Sequence, residues 1–328
     1  MGSTHLKALK NLSGVELVAV CSNDERALSG DMTGIQGNIG GPGEKMDFSS
    51  IKTYRDIEQA LADPDIEAVD LCLPTDMHAS VAIEALRAGK HVLVEKPIAL
   101  DGTGADRMIE EAEKSGKILM TAQVLRFFPA YVAAREAMDD GKLGPVRSAV
   151  FRRRCAAPAW GGWLKNPEKS GGGVFDLLIH DVDMALHLFG LPIAIEATGY
   201  EDASRGVDLI HAEFFYSHGG VVLITGGWHH PKTYPFSMEY TIVTDGGTLD
   251  FSSDGRAPAL YRDDGTVQKL EPEERDGYAA EIQYFAECCK AGRQPEICPP
   301  RESANAVKLT RLMLEARNRN GERIECKL

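Results

Sequence analysis

The sequence predicts an α/β protein of two units: residues 1–125, a parallel sheet interleaved with helices, and residues 126–328, an α+β unit on a large, mostly antiparallel open sheet. Three observations predict it. Before residue 126, short apolar runs alternate with amphipathic helical segments at β-α-β spacing. After it, strand-like stretches follow one another directly, one pair joined by the hairpin signal Asp245-Gly246-Gly247. At 328 residues, the chain is long enough for two hydrophobic cores.

The elements follow in order. Val15–Cys21 reads as a strand and Ile51–Tyr54 as a short one; Tyr54, Ile57 and Leu61 then mark one helical face. Glu67–Leu73 is the next strand, followed by a helix with Val81, Ala82, Ala85 and Leu86 inward. Lys90–Glu95 reads as a strand buried on both faces, Asp106–Ser115 as a helix stopped by Gly116, and Ile118–Leu125 as strand again. The second unit opens with a helix at Ala130–Met138 and a strand at Val146–Arg154. A Trp/Gly/Pro-rich loop leads to a helix at Phe175–Leu188. Strands are predicted at Ile193–Tyr200, Leu209–Tyr216, Val221–Thr225, Met238–Thr244 and Thr248–Phe251. His229-His230 before Pro231 reads as a surface turn, and helices at Ala279–Cys289 and Ser303–Arg317 close the chain.

The net charge of -13 argues against a nucleic-acid partner, because phosphate binding needs a basic surface. No apolar run approaches the roughly 18 residues that span a bilayer, so no membrane partner is expected. The seven cysteines are scattered with no Cys-x-x-Cys pair, and read as reduced thiols of a cytoplasmic protein.

The chemistry concentrates in a few motifs. His91-Val-Leu-Val-Glu-Lys-Pro97 delivers Lys96 to the carboxyl end of a buried strand, the edge where open parallel sheets bind ligands. Pro74-Thr75-Asp76-Met77-His78 follows the preceding strand, Leu125-Arg-Phe-Phe-Pro129 the last one, and Gly171-Gly-Gly-x-x-Asp176-x-x-x-His180-x-x-Asp183 opens a long helix. Together these residues resemble the glucose-fructose oxidoreductase / inositol dehydrogenase / rhizopine-catabolism (Gfo/Idh/MocA) family of NAD(P)-dependent sugar and cyclitol oxidoreductases. The resemblance implies a Rossmann-type first domain and a small sugar or polyol substrate. It also implies that Lys96, Asp176 and His180 face the nicotinamide.

The expected activity is hydride transfer between NAD(P) and a secondary alcohol. Such a reaction needs a base and a positive group near the oxygen. His180 suits the base, Lys96 the alkoxide stabiliser, and Asp176, one turn before His180, an orienting group that also touches substrate. Trp160 and Trp163 are candidate walls for a sugar ring or packing residues of the loop's own small core, and Arg126 at the domain junction is a candidate substrate or cofactor contact or equally an interdomain ion pair. His180, Asp183 and His187 share a helical face but lack a suitably spaced fourth ligand, so no metal is expected.

A dinucleotide-binding domain opens with a strand and a Gly-x-Gly-x-x-Gly turn. Here Gly2 matches the third glycine and His5 the histidine that follows it in the family, while the first strand and first two glycines are missing. The expectation is that Met1 is an internal methionine, that the natural protein extends upstream, and that the flanking strands stand a strand's width apart. Gly30–Gly43 reads as an insertion after the second helix. Expected cofactor contacts are Gly2, Ser22, Asn23, Arg26, Pro74, Thr75, His78, Glu95 and Lys96. Ser22 with Arg26 nearby would tolerate the extra phosphate of NADP. Two other readings stand beside the dehydrogenase: an NAD-dependent glycosidase of the same architecture, and a non-catalytic cofactor-sensing regulator. A homo-oligomer through the open sheet is expected.

Overall fold

The computed structural model describes residues 1–328 except 11, 35–40, 42, 160–161, 203–204 and 272. The sequence's glycine-rich stretch after residue 30 lies partly, and Trp160 wholly, outside the described residues.

The first unit comprises α1 (Gly2–Leu9), β1 (Ala19–Cys21), α2 (Glu25–Leu28), β2 (Lys52–Tyr54), α3 (Ile57–Ala62), β3 (Ala68–Leu71), α4 (Thr75–Arg87), β4 (His91–Glu95), α5 (Gly102–Ser115) and β5 (Leu119–Ala122). All its strand pairs are parallel, in two groups: β1 with β2, and β3-β4-β5. No described residue of β1 pairs with β3, so the two groups do not join. Val92 and Val94 of β4 face the core shared with α4 and α5, while Leu93 packs with Met120, Ala122 and Ala8. Burial on both sides explains the unbroken apolar run that marks this strand in the sequence. Strand β5 ends earlier than the periodicity predicts, because Val124–Arg126 tighten into a 3-10 turn that leads into α6 (Pro129–Asp139).

The second unit contains β6 (Val146–Ala156), α7 (Pro167–Ser170), α8 (Gly173–Phe189), β7 (Ala194–Asp202), β8 (Val207–Phe215), β9 (Val221–His230), β10 (Ser237–Thr244), β11 (Gly247–Ser252), β12 (Arg256–Tyr261) and β13 (Val267–Lys269). Then come α9 (Gly277–Ala291), α10 (Pro300–Asn318) and β14 (Ile324–Glu325). Nine strands form one sheet in the order β13-β12-β11-β10-β6-β9-β8-β7-β14, antiparallel except for the β6–β9 pair. Helices α8 and α10 cover one face. Strand β9 continues through Gly226 and Gly227 to His230, where the sequence suggests a turn at His229-His230. Both glycines have positive φ, and a Cβ would collide with the carbonyls of Arg153 and Asp208, so only glycine fits between the neighbouring strands. His229 and His230 are half-buried, with the His230 ring stacked on Tyr234 at 3.8 Å.

The last helices return to the first unit. Ile282, Phe285 and Cys288 of α9, with Cys298, pack on Leu93, Ile118 and Met120. All seven cysteines are free thiols. No described helix is long and apolar enough to cross a membrane.

Candidate active site

Lys96 and Asp176 meet between the two units. Strand β4 carries Lys96 past its last ladder residue, and α8 brings Asp176 in its first turn. Lys96 Nζ donates to Asp176 Oδ1 at 3.0 Å and to the Asp176 carbonyl at 2.9 Å. An ammonium has three donors, so one remains for a ligand. The side chains are mostly enclosed, at 14% and 16% exposure, which strengthens the pair relative to one at the surface.

Helix α8 is seated by three local devices. Gly171 and Gly172 turn with φ of 83° and 97°, a region that favours glycine. Asp208 Oδ2 accepts the Val174 N–H at 2.8 Å, doing from β8 what a capping side chain does. Gly173 lies flat on Trp228: a Cβ there would stand 2.6 Å from the indole. The close approach aims Asp176 and, one turn on, His180 at the strand edge.

His180 has a buried Nδ1 with no hydrogen-bond partner among the described residues. Its pKa lies well below 6.5: burial disfavours the imidazolium, and the positive charges of Lys96 and Arg153 push in the same direction. The ring is therefore a neutral base held near a cation. Arg153 belongs to none of the sequence motifs. It is 2% exposed and clamps Asp181 at 2.7 and 3.0 Å. The available signal was its register: it shares an inward face with Phe151 and Cys155, where a charge demands a partner.

Three expectations are corrected. Arg126, a candidate substrate contact, has no exposed side-chain surface. It binds Asp183 through two hydrogen bonds at 2.8 and 2.7 Å, the Ile297 carbonyl at 2.7 Å and Glu302 at 2.5 Å. With Nε, both terminal nitrogens and all exposure taken, it ties the 3-10 turn to α8 and α10. His78, expected at the cofactor, is fully buried with Nδ1 2.8 Å from the Pro97 carbonyl and Nε2 2.9 Å from that of Leu73. It fastens the loops after β3 and β4 together. Glu95, expected likewise, is 5% exposed and turned beneath the sheet edge: Oε1 stands 3.0 Å from His5 Nε2 and Oε2 accepts the Lys96 N–H at 3.0 Å.

The remaining cofactor candidates lie along the carboxyl edges. Pro74 precedes α4, and Thr75 Oγ1 at its start is buried without a partner among the described residues, as are both amide atoms of Gln123 beyond β5. Orphaned polar atoms at a ligand-binding edge call for a polar group from outside the chain. Ser22 follows β1, with its hydroxyl accepting the Asp24 N–H at 3.1 Å; Asn23 and Arg26 are exposed, Arg26 paired with Asp31 at 2.9 Å. Beside them, a cavity of about 580 Å³ is lined by Glu25, Ser29, Tyr54 and Arg55 among others. Gly2 opens α1, whose N-terminus has no side-chain cap. These groups fit a dinucleotide at both ends of the edge. Trp163, half-buried in the turn before α7, remains a candidate sugar wall.

Comparison with known proteins agrees with this fold. Residues 1–123 match the family described as "Oxidoreductase family, NAD-binding Rossmann fold", and residues 131–250 match the "GFO/IDH/MocA C-terminal domain". The chain is 37% identical over 134 residues to 1,5-anhydro-D-fructose reductase of Ensifer adhaerens, a match spanning 40% of each chain. It is 29% identical over 263 residues to scyllo-inositol 2-dehydrogenase (NAD(+)) of Bacillus subtilis, covering 74% of this chain and 73% of that one. In fold it is similar to an oxidoreductase domain protein from Kribbella flavida, with a TM-score of 0.85 at 20% identity, over 100% of this chain and 96% of that one. Matched in both regions, the chain belongs to the Gfo/Idh/MocA oxidoreductase family, whose first domain is an NAD-binding Rossmann fold.

Proposed function

We propose that the chain catalyses hydride transfer between NAD(P) and a secondary alcohol of a sugar, cyclitol or related polyol. When bound, the nicotinamide accepts or supplies the hydride. The chain's own residues handle the oxygen and its proton. His180, neutral because of burial and the neighbouring cations, takes the hydroxyl proton in oxidation and returns it in reduction. The N–H of Lys96 left free by Asp176 donates to the substrate oxygen and stabilises alkoxide charge as it develops. Asp176 holds the ammonium in place and offers its remaining oxygen to a neighbouring hydroxyl. Trp163 contributes an apolar wall for the ring.

One observation carries the reading: the enclosed Lys96–Asp176 pair lies near a neutral imidazole at the carboxyl edge of a family-matched Rossmann sheet. The relatives named for anhydrofructose and scyllo-inositol support an alcohol or carbonyl on a polyhydroxylated ring. Ser22 and exposed Arg26 favour acceptance of NADP; fluorescence titration with NADH and NADPH tests this, and a strong NADH preference overturns it. The face of the nine-stranded sheet opposite α8 and α10, with Tyr200, Val243 and Tyr261 exposed, is the proposed contact with a second copy.

Replacing Lys96 with Met tests the assignment. Turnover should fall roughly 10²- to 10³-fold while dinucleotide affinity holds, because the lost donor acts on the reacting oxygen. Unchanged turnover would remove Lys96 from the mechanism. Glycoside cleavage with no net change in cofactor would favour the glycosidase reading.

A further inference from the structure

Beneath the sheet edge, α1 and α9 enclose buried charged groups that hydride transfer does not use. His5 of α1 is 1% exposed, with Nδ1 2.8 Å from Asp70 Oδ2 on β3. Its Nε2 stands 3.0 Å from Glu95 Oε1 and 3.9 Å from Glu281 Oε1 on α9. Cys72 Sγ lies 3.6 Å from Nδ1, and the Tyr278 ring packs 6.2 Å from the imidazole. Burial opposes a charge on His5, but Cys72 and Asp70 outweigh it and raise the pKa well above 6.5. Burial, against the pull of His5, pushes Glu281 well above the carboxylate range, so it stays protonated and leaves the cation to Asp70 and Glu95. His5, Asp70 and Cys72 lie close enough together to hold a metal ion. A carboxylate stands within 3.0 Å of each ring nitrogen, Asp70 hydrogen-bonded at Nδ1 and Glu95 ion-paired at Nε2, an arrangement that fits a charged imidazole better than a metal ligand.

Glu95 connects this cluster to the active site. One of its oxygens faces His5 and the other accepts the backbone N–H of Lys96 at 3.0 Å. We propose that His5 is a positioning residue for Lys96: through Glu95 it fixes the peptide that carries the amine, so the seating of α1 against β3 and β4 sets where that amine meets the reacting oxygen. The proposal rests on the reading of Lys96 as the alkoxide-stabilising group. A His5 that merely glued α1 to the sheet would not act on one peptide bond beyond β4. The relay does so because Glu95 has one oxygen for each partner.

The test uses the full chain and two readouts, amide hydrogen exchange at Lys96 and steady-state kinetics on polyols. In His5→Leu, exchange at the Lys96 amide should rise about tenfold or more, with α4 and α5 amides unchanged. The same variant should lose roughly 10- to 100-fold in kcat, since a small misplacement of a reacting group is costly. KM should stay within about threefold. His5→Gln, which keeps a side-chain N–H toward Glu95, should recover most of the loss. Where His5→Leu does not fold, Glu95→Gln supplies the same two readouts. Wild-type protection of the Lys96 amide in these variants overturns the relay, as does unchanged kcat. Should the wild type itself turn over no polyol, the hydride-transfer reading falls, and the exchange measurement alone decides the relay.

Discussion

His180 is neutral at physiological pH because burial, then the charges of Lys96 and Arg153, hold its pKa well below 6.5. A base that is already deprotonated has no titration to complete in the neutral range. The kcat for alcohol oxidation should therefore show no His180 limb at or above pH 6.5, and should fall only as pH drops below that value. A pH–rate profile on wild type and His180→Asn checks this; a limb near 6.5 that vanishes in the variant would contradict it. Arg126 makes the opposite kind of prediction. Arg126→Met strips the partners from buried Asp183, which should cost about 3–5 kcal/mol and lower the thermal midpoint with KM little changed. A raised KM at full stability would return Arg126 to the substrate. At this scale the meeting of Lys96 with Asp176 was legible, because the strand-end motif and the helix-start motif bring them to one edge. For Arg126 the sequence leaves a ligand contact and an interdomain ion pair both open, and the His78 ring and Glu95 carboxylate can face either a ligand or a backbone; only tertiary contacts choose.

Among elements, α8 determines the site's geometry, and its distance from β9 is set by a residue with no side chain. Gly173→Ala would put a methyl 2.6 Å from Trp228, so the helix must lift or the indole must turn. The expected cost is roughly 1–3 kcal/mol, with kcat falling as Asp176 moves away from Lys96. Thermal melts and kinetics on this variant check it; a variant with wild-type melting and turnover would show that the approach is not tight. The glycines that made this motif recognisable thus have a packing reason. Strand β9 shows the reverse case, since the predicted strand stops at Thr225 while the structure continues it through Gly226 and Gly227, close to Arg153 and Asp208. Strand β12 contains Pro258 and β14 is two residues long, so neither leaves a period-2 pattern to read.

Over the whole molecule, the alternation of strand and helix predicted the parallel unit, and successive strands predicted the open sheet. Strand order was beyond reach, because β6 pairs with β9 across α7, α8, β7 and β8, a pairing with no local signature. So was the return of α9 to the first unit, which closes the cluster around His5. The face of the nine-stranded sheet opposite α8 and α10 is the proposed seat of a second copy in solution. Light scattering should give a mass above one chain, and a Tyr200→Lys/Tyr261→Lys double variant should reduce it. A monomer at all concentrations would contradict that contact.

The proposed transfer of a hydride to or from a polyol hydroxyl carbon carries an optical signal. It is tested most directly by following nicotinamide absorbance while the protein meets a panel of sugars and cyclitols with oxidised cofactor. The account predicts reduction with at least one secondary alcohol, and a loss of roughly 10²- to 10⁴-fold in His180→Asn. Cofactor that binds but is reduced by none of them, or equal reduction by the variant, would contradict it.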